Sequence, residues 1–443
     1  MKRRRSRGRA ALVAAAAMCA VVAQPGQSGG PGLPGLSGTA RAAEGPTPYA
    51  FDPDAESIEG GTGPSDAWQL AAGDTYGDAI EPGKRLFYRL DLDGAESAYM
   101  SVTAVPELGS RVTYGDSVTV TMQDDDGRSC DSQQVRVLPT SDYPQPLTAY
   151  ASRTVDGEKS GSCQEAGTYY VIVERESKAT STQAAWDLEL RYLSEPELTT
   201  AGPTEAPEDD WPTDFPEPPS GAPKARAGGA GFTGATALGT GGWTAEIEPG
   251  ESLYYRVPVD WGQQLFTSAE LGGSERPGIV SGAMSLAVYN PARGLVDGIE
   301  SMSYNGGPKS VSADPAPPVN YANRFSSAAH QKAMRFAGWY YVRVSLNPEV
   351  GEKFGPKPYD LTVRVNVEGT AEDGPGYAGP PGEFSVSAGD LEHTDSDEDE
   401  GPSSALIRDR MKLVAAGGIG TGTVLVLGLG GWMLLARRRE AVR

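Results

Sequence analysis

Ile247-Glu248-Pro249-Gly250-Glu251-Ser252-Leu253-Tyr254-Tyr255-Arg256-Val257-Pro258-Val259 has a near twin earlier in the chain, Ile80-Glu81-Pro82-Gly83-Lys84-Arg85-Leu86-Phe87-Tyr88-Arg89-Leu90-Asp91-Leu92. Each copy reads as a Pro-Gly turn feeding a β-strand. Leu86, Tyr88, Leu90 and Leu92 alternate onto one face, as do Leu253, Tyr255, Val257 and Val259. Each strand therefore has one side to bury.

The match continues outward from these turns. Ala166-Gly167-Thr168-Tyr169-Tyr170-Val171 corresponds to Ala337-Gly338-Trp339-Tyr340-Tyr341-Val342, and the closing strand Trp186-Asp187-Leu188-Glu189-Leu190-Arg191-Tyr192 returns as Tyr359-Asp360-Leu361-Thr362-Val363-Arg364-Val365. In the first closing strand Trp186, Leu188, Leu190 and Tyr192 point inward, with Asp187, Glu189 and Arg191 outward. Tyr150 and Arg153 pair with Tyr321 and Arg324 at the same offset as Gly167 and Gly338, and are read as a structural pair holding a long connection. No long 3.6-residue apolar period occurs in the first copy. Both copies are predicted to be all-β sandwiches.

The ends carry different signals. Residues 1–42 read as a secretory signal peptide: a basic run from Lys2 to Arg9, an apolar run from Ala10 to Ala23, and cleavage after Ala23 or Ala42. Residues 413–436 are apolar and long enough to cross a bilayer as one helix, with Arg437-Arg438-Arg439 opening a cytoplasmic tail at 437–443. A single-pass type I protein with its ectodomain outside the cell follows. Between the ends come a flexible lead-in (43–64), repeat 1 (65–194), a proline-rich acidic linker (195–230), repeat 2 (231–367) and an acidic stalk (368–412). Trp211 and Phe215, unusual in such a linker, either dock on a sheet or form a partner motif.

A formal charge of −21 argues against nucleic acid as partner, because phosphate is met by clustered Lys and Arg. Cys130 and Cys163 are the cysteines left once the leader is removed. Outside the membrane a disulfide is expected, with two buried thiols as the alternative. The residues opposite Cys163 in the second copy include Met334, so that place tolerates an apolar side chain.

Chemistry is sparse. His330 and His393 are the only histidines, and neither lies in a setting that would hold it between a nucleophile and a carboxylate. No Cys/His zinc spacing and no phosphate-binding glycine loop occur. Asp124-Asp125-Asp126-Gly127 and Asp91-Leu92-Asp93-Gly94 offer oxygen ligands for calcium, although Asp-Gly turns explain both equally. The counterpart of the first, Asn290-Pro291-Ala292-Arg293-Gly294, lacks the carboxylates. No cofactor is expected. Lys309, Arg324, Lys332 and Arg335, interleaved with Tyr321 and Phe325, form a locally basic stretch that could meet an acidic glycan or partner.

The Pro-Gly turn, Leu-Tyr-Tyr-Arg-Val, Ala-Gly-Trp-Tyr-Tyr-Val-Arg-Val and Tyr-Asp-Leu-Thr-Val together resemble the bacterial pre-peptidase C-terminal domain over about 70–192 and 235–366. The resemblance implies two tandem jelly-roll-like β-sandwiches in a non-catalytic accessory or binding role. Where that family often shows Asp-x-Asp-Leu, this chain has Ser117-Val118-Thr119-Val120 and Met284-Ser285-Leu286-Ala287-Val288. The chain is expected to be a non-enzymatic recognition or adhesion module for an unknown protein or cell-envelope glycan. The alternatives are an accessory subunit of a membrane or secretion complex and a carboxylate-dependent envelope hydrolase.

Overall fold

β-branched and aromatic residues in short alternating runs make strands, and the computed structural model of the chain has twenty of them among its described residues (45–140, 142–155, 163–218 and 220–395). The segments expected as signal peptide, membrane helix and tail lie outside those residues. Among the described residues no helix is long and apolar enough to cross a membrane.

The first copy contains β1 (Glu56–Ser57), β2 (Trp68–Gln69), β3 (Thr75–Ile80), β4 (Arg85–Leu92), β5 (Ser97–Val105), β6 (Ser117–Asp124), β7 (Ser129–Arg136), β8 (Leu147–Arg153), β9 (Gly167–Glu176) and β10 (Trp186–Glu195). The second contains β11 (Lys224–Ala225), β12 (Thr236–Ala237), β13 (Gly241–Ile247), β14 (Ser252–Val259), β15 (Gln264–Leu271), β16 (Val280–Tyr289), β17 (Glu300–Tyr304), β18 (Lys309–Ser312), β19 (Gly338–Leu346) and β20 (Tyr359–Glu368). Each copy forms two five-stranded sheets, ordered β1-β3-β10-β5-β8 and β2-β4-β9-β6-β7, then β11-β13-β20-β15-β18 and β12-β14-β19-β16-β17. Set aside the two-residue edge strands and renumber the other eight from one. Both copies then read 1-8-3-6 and 2-7-4-5. That is the winding of a jelly roll.

The twin turns behave as twins. Gly83 and Gly250 sit at φ 71° and 93°, where a Cβ would be strained. Their N–H groups donate to Arg175 O (2.9 Å) and Leu346 O (2.8 Å). From each turn one strand face enters its core, with Tyr88, Leu90, Tyr255, Val257 and Val259 fully buried. Each such side chain contributes roughly 1.5–3 kcal/mol.

The copies begin earlier than the sequence reading places them. Gly60-Gly61 and Leu70 correspond to Gly228-Gly229 and Leu238, and Gly61 and Gly229 bridge Phe87 and Tyr254 in the same manner. β1 lies inside the expected lead-in and β11 inside the expected linker. Two residues are too few to show a period, and Glu, Ser, Lys and Ala have little strand preference. Backbone bonds hold them: Ile58 N–H to Gly77 O (2.9 Å) and Arg226 N–H to Thr244 O (2.8 Å).

The second copy adds a 3-10 helix (Tyr321–Phe325), α1 (Ala329–Ala333) and α2 (Pro348–Phe354), and the expected stalk contains α3 (Ala388–Asp395). These turns are too short to raise a helical period in the sequence. The inserted helices also change the predicted pairing of Tyr150 with Tyr321 and of Arg153 with Arg324. Ala104 opposes Leu188 and Leu147, while its equivalent Leu271 opposes Leu361 and Lys309. Counted from that rung, Tyr150 corresponds to Ser312. Tyr150 and Arg153 lie in β8, whereas Tyr321 and Arg324 lie in the 3-10 helix. The letter match there is fortuitous.

The outer face of the β3-β10-β5-β8 layer packs on the outer face of the β14-β19-β16 layer, so four sheets stack in sequence. Two clusters fill this seam: Tyr99, Leu193, Ala292, Phe336 and Phe384 in one, and Phe232, Ala235, Tyr254, Ala287 and Tyr289 in the other.

Candidate functional site: the seam between the sandwiches

β10 alternates as predicted, and its outward face is covered by the second sandwich. Glu189 and Glu195, both 1% exposed, each become a hydrogen-bonded hub. Glu195 accepts from Tyr99 Oη (2.5 Å), Arg324 (2.6 Å) and Tyr377 Oη (2.7 Å). Glu189 accepts from Arg293 (2.5 Å), Asp52 N–H (2.8 Å) and Tyr49 Oη (3.0 Å). A buried carboxylate is tolerable only when paired and bonded in this way. Tyr49 precedes the first sandwich and Tyr377 follows the second. The expected flexible lead-in and acidic stalk each close one hub.

Burial, followed by the adjacent carboxylate, raises the hydroxyls of Tyr49, Tyr99 and Tyr377 well above the ordinary tyrosine value. The opposed arginines stay charged. Glu189 favours the cationic form of Arg293, and Glu195 that of Arg324, against the desolvation that burial imposes.

Arg293 reaches Glu189 from a left-handed backbone position, φ 60°. Its turn is closed by Asn290, whose side chain accepts from Gly294 N–H (2.9 Å). The corresponding acidic turn of the first copy closes on Arg128, which bonds Asp124 at 2.8 Å and Asp126 at 2.9 Å. In the other acidic turn Asp93 accepts from Ala95 N–H and Glu96 N–H, both at 2.8 Å. Asp124, Asp126, Asp91 and Asp93 thus have protein partners.

Of the four cations in the locally basic stretch, Arg324 and Arg335 are answered within the chain, while Lys309 and Lys332 are exposed. Arg324 lies 3.4 Å over the Tyr321 ring and pairs with Glu195, while Arg335 donates to Tyr150 Oη across the seam. Tyr150 itself stacks on Tyr99. Arg153 holds a local connection instead, donating to Cys163 O (2.7 Å), Glu96 O (2.6 Å), and Gln164 O and Glu165 O (both 3.1 Å). Cys163 is joined to Cys130 by a disulfide, Cα to Cα 5.7 Å. Cys163 and Met334 both lie in the cores of their own copies.

Of the two readings of the linker aromatics, docking is the one seen. Phe215 packs edge-on to Phe266 (5.6 Å) and Trp211 to His330 (6.1 Å), and Gln264 donates to Pro212 O (2.8 Å). His393 contacts Gly389 O. Among the described residues no group of three or more His, Cys, Asp or Glu side chains is arranged to hold a metal ion.

Two of the clefts along the seam draw residues from both copies. One, about 600 Å³, is lined by Arg191, Trp339, Glu383, Phe384 and Asp390. Trp339 Nε1 donates to Asp390 (3.1 Å), and the Arg256 guanidinium lies 4.4 Å from its ring. The other, about 370 Å³, is lined by Pro48, Tyr49, Phe51, Pro106, Leu108 and Pro146, with Gly250 and Ser252 from the second sandwich. Sequence reasoning missed Glu189, Glu195, Tyr49, Tyr377 and Arg293. The available signal was Arg343 in the centre of an otherwise apolar strand: it is buried and donates to Pro146 O of the first sandwich.

No protein-family model matches the chain, and no curated protein matches it. Solved structures align weakly. The tandem CBM22 modules of Paenibacillus barcinonensis Xyn10C share 14% identity at a TM-score of 0.19, over 70% of this chain and 95% of that one. The CUB1-EGF-CUB2 region of human MASP-1/3 shares 6% at 0.16, over 66% and 99%. The triple jelly roll of an archaeal virus turret shares 9% at 0.17, over 66% and 54%. Likeness this weak carries no argument. The architecture, two tandem jelly-roll sandwiches, rests on the strand pairings above.

Proposed function

We propose that the chain is a non-enzymatic recognition or adhesion module, carried on the outer face of the cytoplasmic membrane by the apolar segment 413–436. The observation that supports this most directly is the seam: two sandwiches locked by buried ion pairs leave open, preformed clefts whose walls come from both copies. Preformed clefts are what binding sites need. The disulfide suits an oxidising compartment outside the cytoplasm. The resemblance to pre-peptidase C-terminal domains points to the same accessory or binding role. An unknown protein or a cell-envelope glycan is the partner class. The test is to incubate the purified full chain with isolated cell-envelope material. Saturable binding without turnover is expected; hydrolysis that disappears when a single carboxylate is changed would replace this reading with an enzymatic one.

A further inference from the structure

We propose that the 370 Å³ groove takes an extended cationic peptide segment of a partner protein. This rests on the recognition reading and names the ligand class for one of its clefts. The groove is mostly apolar, and its walls are stiff. Prolines fix their own backbone, and Tyr49 is pinned because its hydroxyl and the nearby Asp52 N–H both bond Glu189. The Gly250 turn in its lining is held by the bond to Leu346 O. Little ordering remains to oppose binding. Leu108 keeps 37% of its surface exposed there, an apolar contact awaiting a partner.

The charge on the lining has one sign. Its only ionisable acid or base side chains besides Tyr49 are Glu107 and Asp187, both exposed, and among the described residues neither enters an ion pair. A lysine or arginine can lay its methylene stem along proline and aromatic walls and bring its charge to these carboxylates. A second copy is disfavoured as occupant, because a chain of net charge −21 repels itself.

The experiment uses the full chain in detergent and two labelled peptides, Lys-Leu-Pro-Pro-Leu-Pro-Lys and its twin with glutamate in place of both lysines, followed by fluorescence anisotropy. The lysine peptide is expected to bind about tenfold more tightly than its twin, with a lead that shrinks as salt rises. Combining Glu107→Gln with Asp187→Asn should erase most of that lead, and Leu108→Ser should weaken both peptides. These side chains are exposed, so an unchanged circular-dichroism spectrum is expected for each variant. Equal binding of the two peptides, no binding of either, or a lead that survives E107Q/D187N overturns the assignment. So does displacement of the lysine peptide by N-acetylchitotetraose, which would mark a sugar site. If the assignment fails while envelope binding persists, the recognition reading stands; if both fail, neither does.

Discussion

Glu195 shows how much a single side chain carries in this molecule. Removing it leaves the Arg324 guanidinium buried without its counter-ion. Glu195→Ala is expected to cost about 3–5 kcal/mol in urea unfolding. Glu270→Ala is the control, since its pair with Arg364 is about a third exposed on both sides and should cost less than ~1 kcal/mol. The tyrosines of the hubs add a pH dependence of known sign. Their folded values lie above the ordinary value of 10.0, so their contribution is intact below that pH. It is lost as pH climbs from there toward the folded values. Near-ultraviolet circular dichroism should hold steady to about pH 10 and then decline, and Tyr99→Phe should flatten the decline.

At the scale of elements, the disulfide and the repeated glycines make separate demands. Cys130 and Cys163 are 33 residues apart, and closing such a loop contributes about 3–4 kcal/mol through the unfolded chain. The Cys130→Ala, Cys163→Ala variant should show that loss in thermal unfolding. Gly229 tests the early start of the second copy: a Cβ there would fall on Gly234 O, so Gly229→Ala should destabilise far more than Gly77→Ala, where space is open. Much of this level was legible in advance. Alternation gave the long strands, the twin Pro-Gly turns gave the duplication, and two cysteines expected outside the membrane gave the bridge. Alternation also separated Glu189 from Leu188 correctly. A period of two sorts side chains onto two faces but does not say what covers the second face, so the seam was invisible. The edge strands escaped because two residues show no period, and the short helices because five to eight residues make only one or two turns.

For the whole molecule, the seam predicts that two jelly rolls unfold as one. Calorimetry should give a single endotherm with calorimetric and van't Hoff enthalpies in agreement. Combining Arg293→Ala with Arg324→Ala should split it into two transitions, one per sandwich. A wild-type chain that already melts in two steps would refute this coupling. The two sandwiches then form one stiff body, so the orientation of the two clefts is fixed by the fold rather than by a hinge.

The course of the chain after β20 bears on mechanics. Residues 376–378 run against 197–199, bonded through Thr199 N–H to Gly376 O (2.9 Å) and Ala378 N–H to Glu197 O (2.8 Å), before Phe384 enters the seam and α3 reaches Trp339. A pull applied beyond Asp395 therefore meets α3 and Phe384 first, then loads the 376–378 bonds and the Tyr377 anchor. Only after these yield does tension reach β20, so the closing strand is shielded from being peeled away one rung at a time.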